Sequence, residues 1–363
     1  MTLLFLSLAC RTGPDTTADD TDASVDELPD PFGGGDGGDG GDGGDGGSAD
    51  CEDWSWDGGG IPDDAADRGL ELWDEDDLPG CPFVATAPGD AHLCALDSAG
   101  EIWCWGPREG DEKDYGQQNA PSGRFKAIEA GFFHSCALDM DGYAHCWGDD
   151  SHGQSTPPDD LTFSRLELGS GVSCGITEFD GRILCWGMGN YLSKPPAGND
   201  WAELDLDIWA GCAVAVDGQL ACWGNTEAGD KHNTGQVEDA PTGTGWANVA
   251  MGQYHACVVG TDHSIECWGN DEEGQSTPPD DVDFVYAEAG DRHGCGLDTD
   301  GIVHCWGTDG IIRPTPEDQE LTQLASSWTF LSGVKPDGTL YLWGQENPYN
   351  SYMPGWVPDD MKF

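Results

Sequence analysis

Positive charge is scarce in this chain. Its 363 residues hold 14 lysines and arginines against 69 aspartates and glutamates, a formal net charge of −55. Phosphate recognition depends on clustered Lys and Arg, so this composition argues against nucleic acids and anionic lipid surfaces as partners. Basic proteins, cations and neutral glycans are partners that this composition allows. The acidity is equally explained if it serves only solubility.

Catalytic signatures and membrane-length apolar runs are also lacking. The apolar run Leu3–Ala9 is too short to span a bilayer. Neither a His-Glu-x-x-His zinc motif nor a phosphate-binding loop occurs. We therefore expect no catalytic residue, no cofactor and no metal ligand, and a protein that is not an enzyme.

What the chain has in abundance is one repeated pattern. A cysteine, nine residues and Cys-Trp-Gly recur in six copies, and the third copy has one extra residue between its cysteines. A seventh copy, Ser332 to Gly344, keeps the spacing and lacks both cysteines. The tryptophans follow each other at 37 to 45 residues. A period near 40 residues indicates a repeat architecture.

Each copy predicts a β-hairpin, and in the six copies with cysteines the hairpin is closed by a disulfide. In the second copy, Asp141-Gly142 is a turn signal, and folding there sets Cys136 opposite Cys146, within disulfide reach. Zinc-binding cysteines usually stand two to four residues apart, so disulfides are favoured over zinc ligands or free thiols. The six predicted pairs are Cys94–Cys104, Cys136–Cys146, Cys174–Cys185, Cys212–Cys222, Cys257–Cys267 and Cys295–Cys305.

A further strand precedes each hairpin. A bulky apolar residue stands eleven positions before each first cysteine, and Gly usually stands five positions before it, with Asp207 and Ser327 as exceptions. This pattern predicts a strand that ends in a tight turn. The Pro and Gly in the loop after each Trp-Gly exclude a long helix there. We expect units of three or four short strands, stacked radially.

The repeats resemble a known family. The Gly-x-x-His-x-Cys-Ala-Leu-x-x-x-Gly stretch, the Cys-Trp-Gly and the following Gly-Gln are similar to the regulator of chromosome condensation repeat, best in 131–154 and 252–275. The paired cysteines resemble the secreted bacterial branch of that family. The resemblance covers roughly residues 82–363. It implies an all-β, seven-bladed β-propeller in this region.

Three cysteines lie outside the repeats. Cys51 and Cys81 flank a segment, 51–81, that directly precedes the first unit, and we expect a seventh bridge between them. Cys10 follows the apolar run and a small residue, which is typical of a lipoprotein signal, so residues 1–10 are predicted as a signal peptide and Cys10 as lipidated. No Lys or Arg precedes that run. A plain secretory signal is the alternative.

The stretch between these cysteines has a low-complexity composition. Residues 11–50 contain almost no apolar side chains after Leu28, and 33–47 consists of Gly and Asp alone. Such a segment cannot bury enough apolar surface to fold. We predict a disordered acidic linker over 11–50, ahead of a propeller over 82–363.

Two sets of polar residues are candidates for chemistry. The first, four histidines placed two residues before a first cysteine, would suggest a metal site or a pH switch if they met at the axis. A structural histidine that hydrogen-bonds a neighbouring loop in each blade is the favoured alternative. The second, Asp-x-Asp-Gly, resembles part of a calcium loop but lacks its later ligands, which favours plain turns. The four histidines are His92, His134, His255 and His293.

The sequence therefore favours a non-enzymatic binding or scaffold module. We expect a monomer on a bacterial cell envelope, lipid-anchored at the surface or in the periplasm, or otherwise secreted. Loops on one propeller face would engage a protein or glycan. The alternative is an envelope lyase or hydrolase with its site in the central channel, supported if carboxylates with shifted pKa values converge there. A structural envelope protein without a specific ligand is a third reading.

Overall fold

The computed structural model confirms an all-β propeller of seven blades. It describes residues 81–107, 113–189, 191–308, 319–328 and 330–344. Each blade is a separate antiparallel sheet of three consecutive strands. The predicted signal peptide, the linker, most of the segment 51–81 and the lipidation site Cys10 lie outside the described residues. Among the described residues, no helix is long and apolar enough to cross a membrane.

The first strand of each blade lies nearest the propeller axis, and we call it the inner strand. Inner strands contact each other around the whole ring, including the first with the last, which closes the propeller. The seven inner strands are β1 (Phe83–Pro88), β4 (Phe125–Ala130), β7 (Phe163–Leu168), β10 (Trp201–Leu206), β13 (Trp246–Met251), β16 (Phe284–Ala289) and β19 (Gln323–Ser326).

The second and third strands of each blade form the predicted hairpin. The middle strands are β2 (Leu93–Asp97), β5 (His134–Asp139), β8 (Val172–Thr177), β11 (Ala210–Ala215), β14 (His255–Gly260), β17 (His293–Asp298) and β20 (Phe330–Val334). The outer strands are β3 (Ile102–Trp105), β6 (Ala144–Gly148), β9 (Ile183–Gly187), β12 (Leu220–Gly224), β15 (Ile265–Gly269), β18 (Val303–Gly307) and β21 (Leu340–Gly344).

Disulfides join the middle and outer strands of six blades. Cys136 stands directly opposite Cys146 in the ladder, with their Cα atoms 4.0 Å apart. The other five bridges have the same placement and join the pairs that the spacing predicts. Cys81 is also disulfide-bonded. Its predicted partner Cys51 lies outside the described residues, so that pairing stays a prediction.

The core lies between neighbouring blades and is built by the repeated residues. Phe284 is fully buried and packs edge-on against Trp306, with ring centroids 5.8 Å apart. The Trp306 indole donates a hydrogen bond to the carbonyl of Gln275, 2.8 Å away, in the loop that precedes the blade. Equivalent indole bonds occur in four other blades. These tryptophans are therefore part of the packing between units.

The Asp-x-Asp-Gly motifs form plain turns. One oxygen of Asp139 accepts bonds from the backbone N–H groups of Asp141 and Tyr143, at 3.0 and 2.9 Å. Its other oxygen lies 2.9 Å from His145 Nε2. Asp298 makes the same set of contacts in the sixth blade. The turn itself thus uses the hydrogen-bonding capacity of the first aspartate.

Candidate functional site: the channel and its rim

Carboxylates converge on the propeller axis. Alternate residues of an inner strand face the axis, and in several blades these residues are charged, although strand interiors rarely carry such groups. Around the channel lie five carboxylates from four blades, together with one arginine and one tyrosine. They are Glu129 on β4, Arg165 and Glu167 on β7, Glu203 and Asp205 on β10, and Tyr286 and Glu288 on β16.

Arg165 is the only cation among these channel residues. Its guanidinium bonds Glu167 on its own strand at 3.0 Å and Glu203 on the next inner strand at 2.9 Å. The side chains of Glu167 and Glu203 keep 13% and 28% of their exposure, so solvent reaches the channel. Two paired carboxylates leave three further acids without a balancing charge in the channel.

Four of the five acids have raised pKa values, and Glu167 is one of them, because burial and the charge of Glu129 outweigh its bond to Arg165. Burial is the main cause that raises the pKa of Glu129 to about 7, with Arg165 opposing and Asp205 adding to the rise. Burial likewise raises the pKa of Asp205 to about 7. The pKa of Glu288 also rises, mainly through burial, while its carboxylate accepts a 2.5 Å bond from the Tyr286 hydroxyl. Near neutral pH this channel therefore holds protons.

Other channel side chains form hydrogen bonds with backbone groups at the free edges of the inner strands. Asp205 accepts a bond from the Met251 N–H at 2.7 Å, and Asn248 accepts one from the Ala287 N–H at 2.9 Å. Gln323 bonds both the N–H and the carbonyl of Thr86, which ties the seventh blade to the first. Part of the polar lining is thus structural.

The channel narrows where the inner strands end, on the side we call the rim face. A Cβ added at Gly131 would lie 2.5 Å from the carbonyl oxygen of Gly169 in the next blade and 2.5 Å from the ring of His134. Only glycine fits there. Blade four has Ala210 in place of the histidine, which leaves room for Asp207 at the glycine position. Asp207 is buried, and burial raises its pKa to about 7.

Trp328 of the seventh blade lies across the channel at this end. Its ring meets Phe132 of the second blade, with centroids 4.3 Å apart. Its indole also donates a hydrogen bond to Asp207 of the fourth blade. One side chain therefore joins three blades that are not neighbours, so it must cover the axis.

Aromatic side chains continue from Trp328 around the rim face. Phe132 contacts Phe133, and Trp209 stacks on His232, which in turn lies parallel to the Tyr254 ring. We call five of these residues the aromatic rim. All of them lie in the turns between an inner strand and the middle strand of the same blade. They are Phe132, Phe133, Trp209, Tyr254 and Trp328.

The four histidines lie between blades and not in the channel. Nε2 of His92 is 2.6 Å from Ser135 Oγ in the next blade, and Nε2 of His134 is 2.9 Å from Ser173 Oγ. His293 approaches Ser326 in the seventh blade at 3.4 Å. Each of the four is fully buried, and burial lowers their pKa values to about 3 or 4. The histidines are therefore packed into the blades as the sequence favoured, but their partners are strand serines of the next blade and not a neighbouring loop, and neither ring nitrogen of His255 has such a serine partner.

One motif in the third blade resembles a catalytic signature, contrary to the expectation that the sequence contains none. Residues 171–175 read Gly-Val-Ser-Cys-Gly, the pattern of a nucleophile elbow, and Ser173 bonds His134. However, Ser173 lies within a strand, is fully buried and donates its hydrogen bond to the Gln154 carbonyl at 2.8 Å. The same His–Ser pair recurs at His92, so it belongs to the blade packing and is closed to a substrate.

The channel acids were also missed, although a signal exists. Glu129, Glu167, Asp205 and Glu288 all stand seven residues before a first cysteine, where other repeats have alanine. An alignment of the repeats on their cysteines exposes charged residues inside an otherwise apolar strand. The aromatic rim gives a weaker signal of the same kind, because Phe133, Trp209 and Tyr254 all stand three residues before a first cysteine, and Phe132 and Trp328 occupy the repeat position just before that one.

Comparison with known proteins supports the fold. Two segments match the regulator of chromosome condensation (RCC1) repeat, at residues 125–154 and 285–310. They fall in the second blade and in the sixth, and the prediction of this kind of repeat is confirmed there. No curated protein sequence matches the chain at a significant level.

Solved propellers resemble the whole domain at low sequence identity. The ectodomain of receptor kinase ACR4 from Arabidopsis thaliana is 21% identical at a TM-score of 0.59, with 73% of this chain and 96% of that chain covered. The ectodomain of receptor kinase CR4 from Physcomitrella patens is 20% identical at 0.59, with 74% of each chain covered. Prp20p of Saccharomyces cerevisiae is 16% identical at 0.54, with 77% and 85% covered. These likenesses show the propeller fold alone.

Proposed function

We propose that this protein is a non-enzymatic binding module that holds a protein partner on its rim face. The aromatic rim carries the proposal: it places five aromatic side chains around the closed end of the channel, in turns whose sequences differ from blade to blade. Aromatic residues are enriched at the centres of protein interfaces. Prp20p, one of the similar propellers, has binding properties toward Gsp1p and histones, and it serves as an analogy for protein binding by this fold.

The setting of the module is part of the same proposal. Six disulfides indicate an oxidising compartment. We propose a monomer, carried by residues 82–363, which the linker 11–50 and the segment 51–81 connect to a lipid on Cys10. A bacterial envelope location and membership of the secreted, cysteine-paired branch belong to the proposal as well. Membrane fractionation of a Cys10→Ala variant tests the anchor independently of the binding face.

A capture experiment with two matched variants tests the binding face. The rim variant replaces Phe132, Trp209 and Tyr254 by alanine. The control variant replaces Met140, Phe179 and Val216, three exposed apolar residues on turns at the other face, also by alanine. We expect wild type and control to retain the same partner from envelope extract, and the rim variant to lose it. Equal capture by all three, with unchanged circular dichroism, would refute the rim as the binding face.

The glycan alternative is distinguished in the same experiment. If the partner is a glycan, capture by the wild type survives protease treatment of the extract and is lost after glycosidase treatment. We expect the opposite result.

An enzyme remains the second candidate because carboxylates with raised pKa values do converge in the channel. This candidate predicts turnover that Glu129→Gln or Glu288→Gln abolishes while capture by the rim is unaffected. Screening ester, glycoside and uronate substrates with wild type and both variants separates the two functions.

A further inference from the structure

Carboxylates accompany the aromatic rim on its fourth to sixth blades. Burial raises the pKa of the Asp207 carboxyl, and Asp291 lies close enough for its negative charge to add to that rise. Burial and both carboxylates also raise the pKa of the Tyr254 hydroxyl. The Asp291 Oδ1 atom is buried and accepts no hydrogen bond. This region thus joins an aromatic surface to acids whose bonding capacity is only partly used.

Arg292 is the positively charged side chain of this chain that lies beside Asp291, and it is weakly held. Arg292 approaches Asp291 at 3.5 Å and Glu273 at 3.6 Å, both long for a hydrogen-bonded ion pair, and its side chain is 52% exposed. Exposed pairs of this kind contribute at most about 1 kcal/mol, so an incoming cation can replace Arg292 at little cost.

The first and second blades show how such a surface receives a cation. Lys113 places its ammonium group 5.6 Å from the centre of the Phe133 ring and 3.6 Å from an Asp90 oxygen. An ammonium group between an aromatic face and a carboxylate is stabilised by both. Tyr254 and Asp291 offer the same two groups on blades five and six, where the cation of this chain near both is the exposed, loosely held Arg292.

We propose that the rim binds a lysine or arginine side chain of a basic protein segment, between the ring of Tyr254 and the carboxylates Asp207 and Asp291. This inference rests on the proposed function and names the chemistry of the partner. It also gives the acidity of the chain a role, because its formal charge of −55 attracts basic partners over long distances.

The test measures binding of a defined basic peptide to the full chain. The probe is fluorescein-labelled, amidated (Gly-Lys)4, compared with (Gly-Glu)4 and with cellopentaose as a neutral glycan. The first variant is Asp207→Asn with Asp291→Asn. The matched control, Asp141→Asn with Asp300→Asn, removes the same charge from exposed turns on the other face. Fluorescence anisotropy at pH 8.5, above the raised pKa of Asp207, and at one ionic strength gives the dissociation constants.

We expect the rim variant to weaken (Gly-Lys)4 binding about tenfold, and the control less than twofold, since two close contacts of this kind are lost only in the first. Tyr254→Phe should keep the affinity, whereas Tyr254→Ala should lower it about threefold, because the aromatic face and not the hydroxyl acts. The acidic peptide and cellopentaose should not bind.

Equal losses in the rim variant and the control would mean that only overall charge matters, and would overturn the inference. So would binding of cellopentaose that depends on Tyr254. If the captured partner depends on the aromatic rim but is not displaced by (Gly-Lys)4, the binding function stands and the basic-segment inference fails. If no partner depends on the rim, the proposed function itself fails.

Discussion

The hairpins of this propeller repeat their residues around the ring, whereas the inner strands change theirs from blade to blade. Six of the seven hairpins carry the same opposed cysteine pair, and all seven carry the same Trp-Gly, because each hairpin packs against an equivalent neighbour. Positions that face the channel have no equivalent neighbour to match, so they carry Ala in one blade, Glu in the next and Arg or Tyr elsewhere. The repeated residues thus specify the fold, and the variable ones give this propeller its own chemistry.

The largest effect is expected from the repeated core. Phe284→Ala should lower the free energy of unfolding by about 3–5 kcal/mol, because the fully buried ring leaves a cavity against Trp306. Val84→Ala, at a 49% exposed position of another inner strand, is the control and should change it by less than about 0.5 kcal/mol. Urea unfolding followed by tryptophan fluorescence measures both. Similar losses would show that burial does not separate the two classes.

The disulfides come next. Replacing Cys136 and Cys146 together by serine should cost about 2–3 kcal/mol, since the bridge closes a short loop of the unfolded chain. The seventh blade has Ser332 and Leu342 at these positions and no bridge. Hydrogen exchange on heating should therefore show β20 and β21 opening first in the oxidised protein. Simultaneous opening of all blades would contradict this difference between them.

The charged residues of the inner strands should make the stability of the protein depend on pH. The pKa of Glu129 is about 7 in the folded protein and near 4.5 when unfolded, so the folded state holds an extra proton between these values. Stability is therefore lost as the pH rises through that window. Glu129→Gln should leave stability unchanged at pH 4 and raise it by roughly 1–3 kcal/mol at pH 8. A variant that is less stable than wild type at pH 8 would refute this account. Arg165, Asp205, Glu167 and Glu288 face this group, and they set the exact size of the effect.

The histidines between blades should make stability depend on pH in the opposite direction, and replacing one of them should change stability by less. His134 has a folded pKa of about 4 against 6.5 unfolded, so its contribution is complete above pH 6.5 and is lost as the pH falls toward 4. His134→Asn should lose about 1 kcal/mol at pH 7 with the bond to Ser173, and its acid sensitivity should be reduced. The exposed His152→Asn is the control. Identical acid transitions in His134→Asn and wild type would contradict the assignment.

The difference between repeated hairpins and variable inner strands also decides how much of the structure can be predicted from the sequence. The hairpin, the opposed cysteines and the number of units come from local signals that recur around the ring, such as Asp141-Gly142, the pair Cys136 and Cys146, and a Trp-Gly present in all seven units. Trp328 shows the limit. Its partners Phe132 and Asp207 stand on blades separated from its own by others, and only closure of the ring brings them together. The shifted pKa values of the channel acids depend on the same closure.

The short span of each disulfide has a consequence for how the chain acquires its covalent bonds. Partners are 10 or 11 residues apart, and none of the six described bridges joins two blades. In a chain that emerges N-terminus first into an oxidising compartment, each cysteine meets its partner before the next pair appears. Oxidation can then keep pace with translocation, and an isomerase that reshuffles wrong pairs has little left to correct.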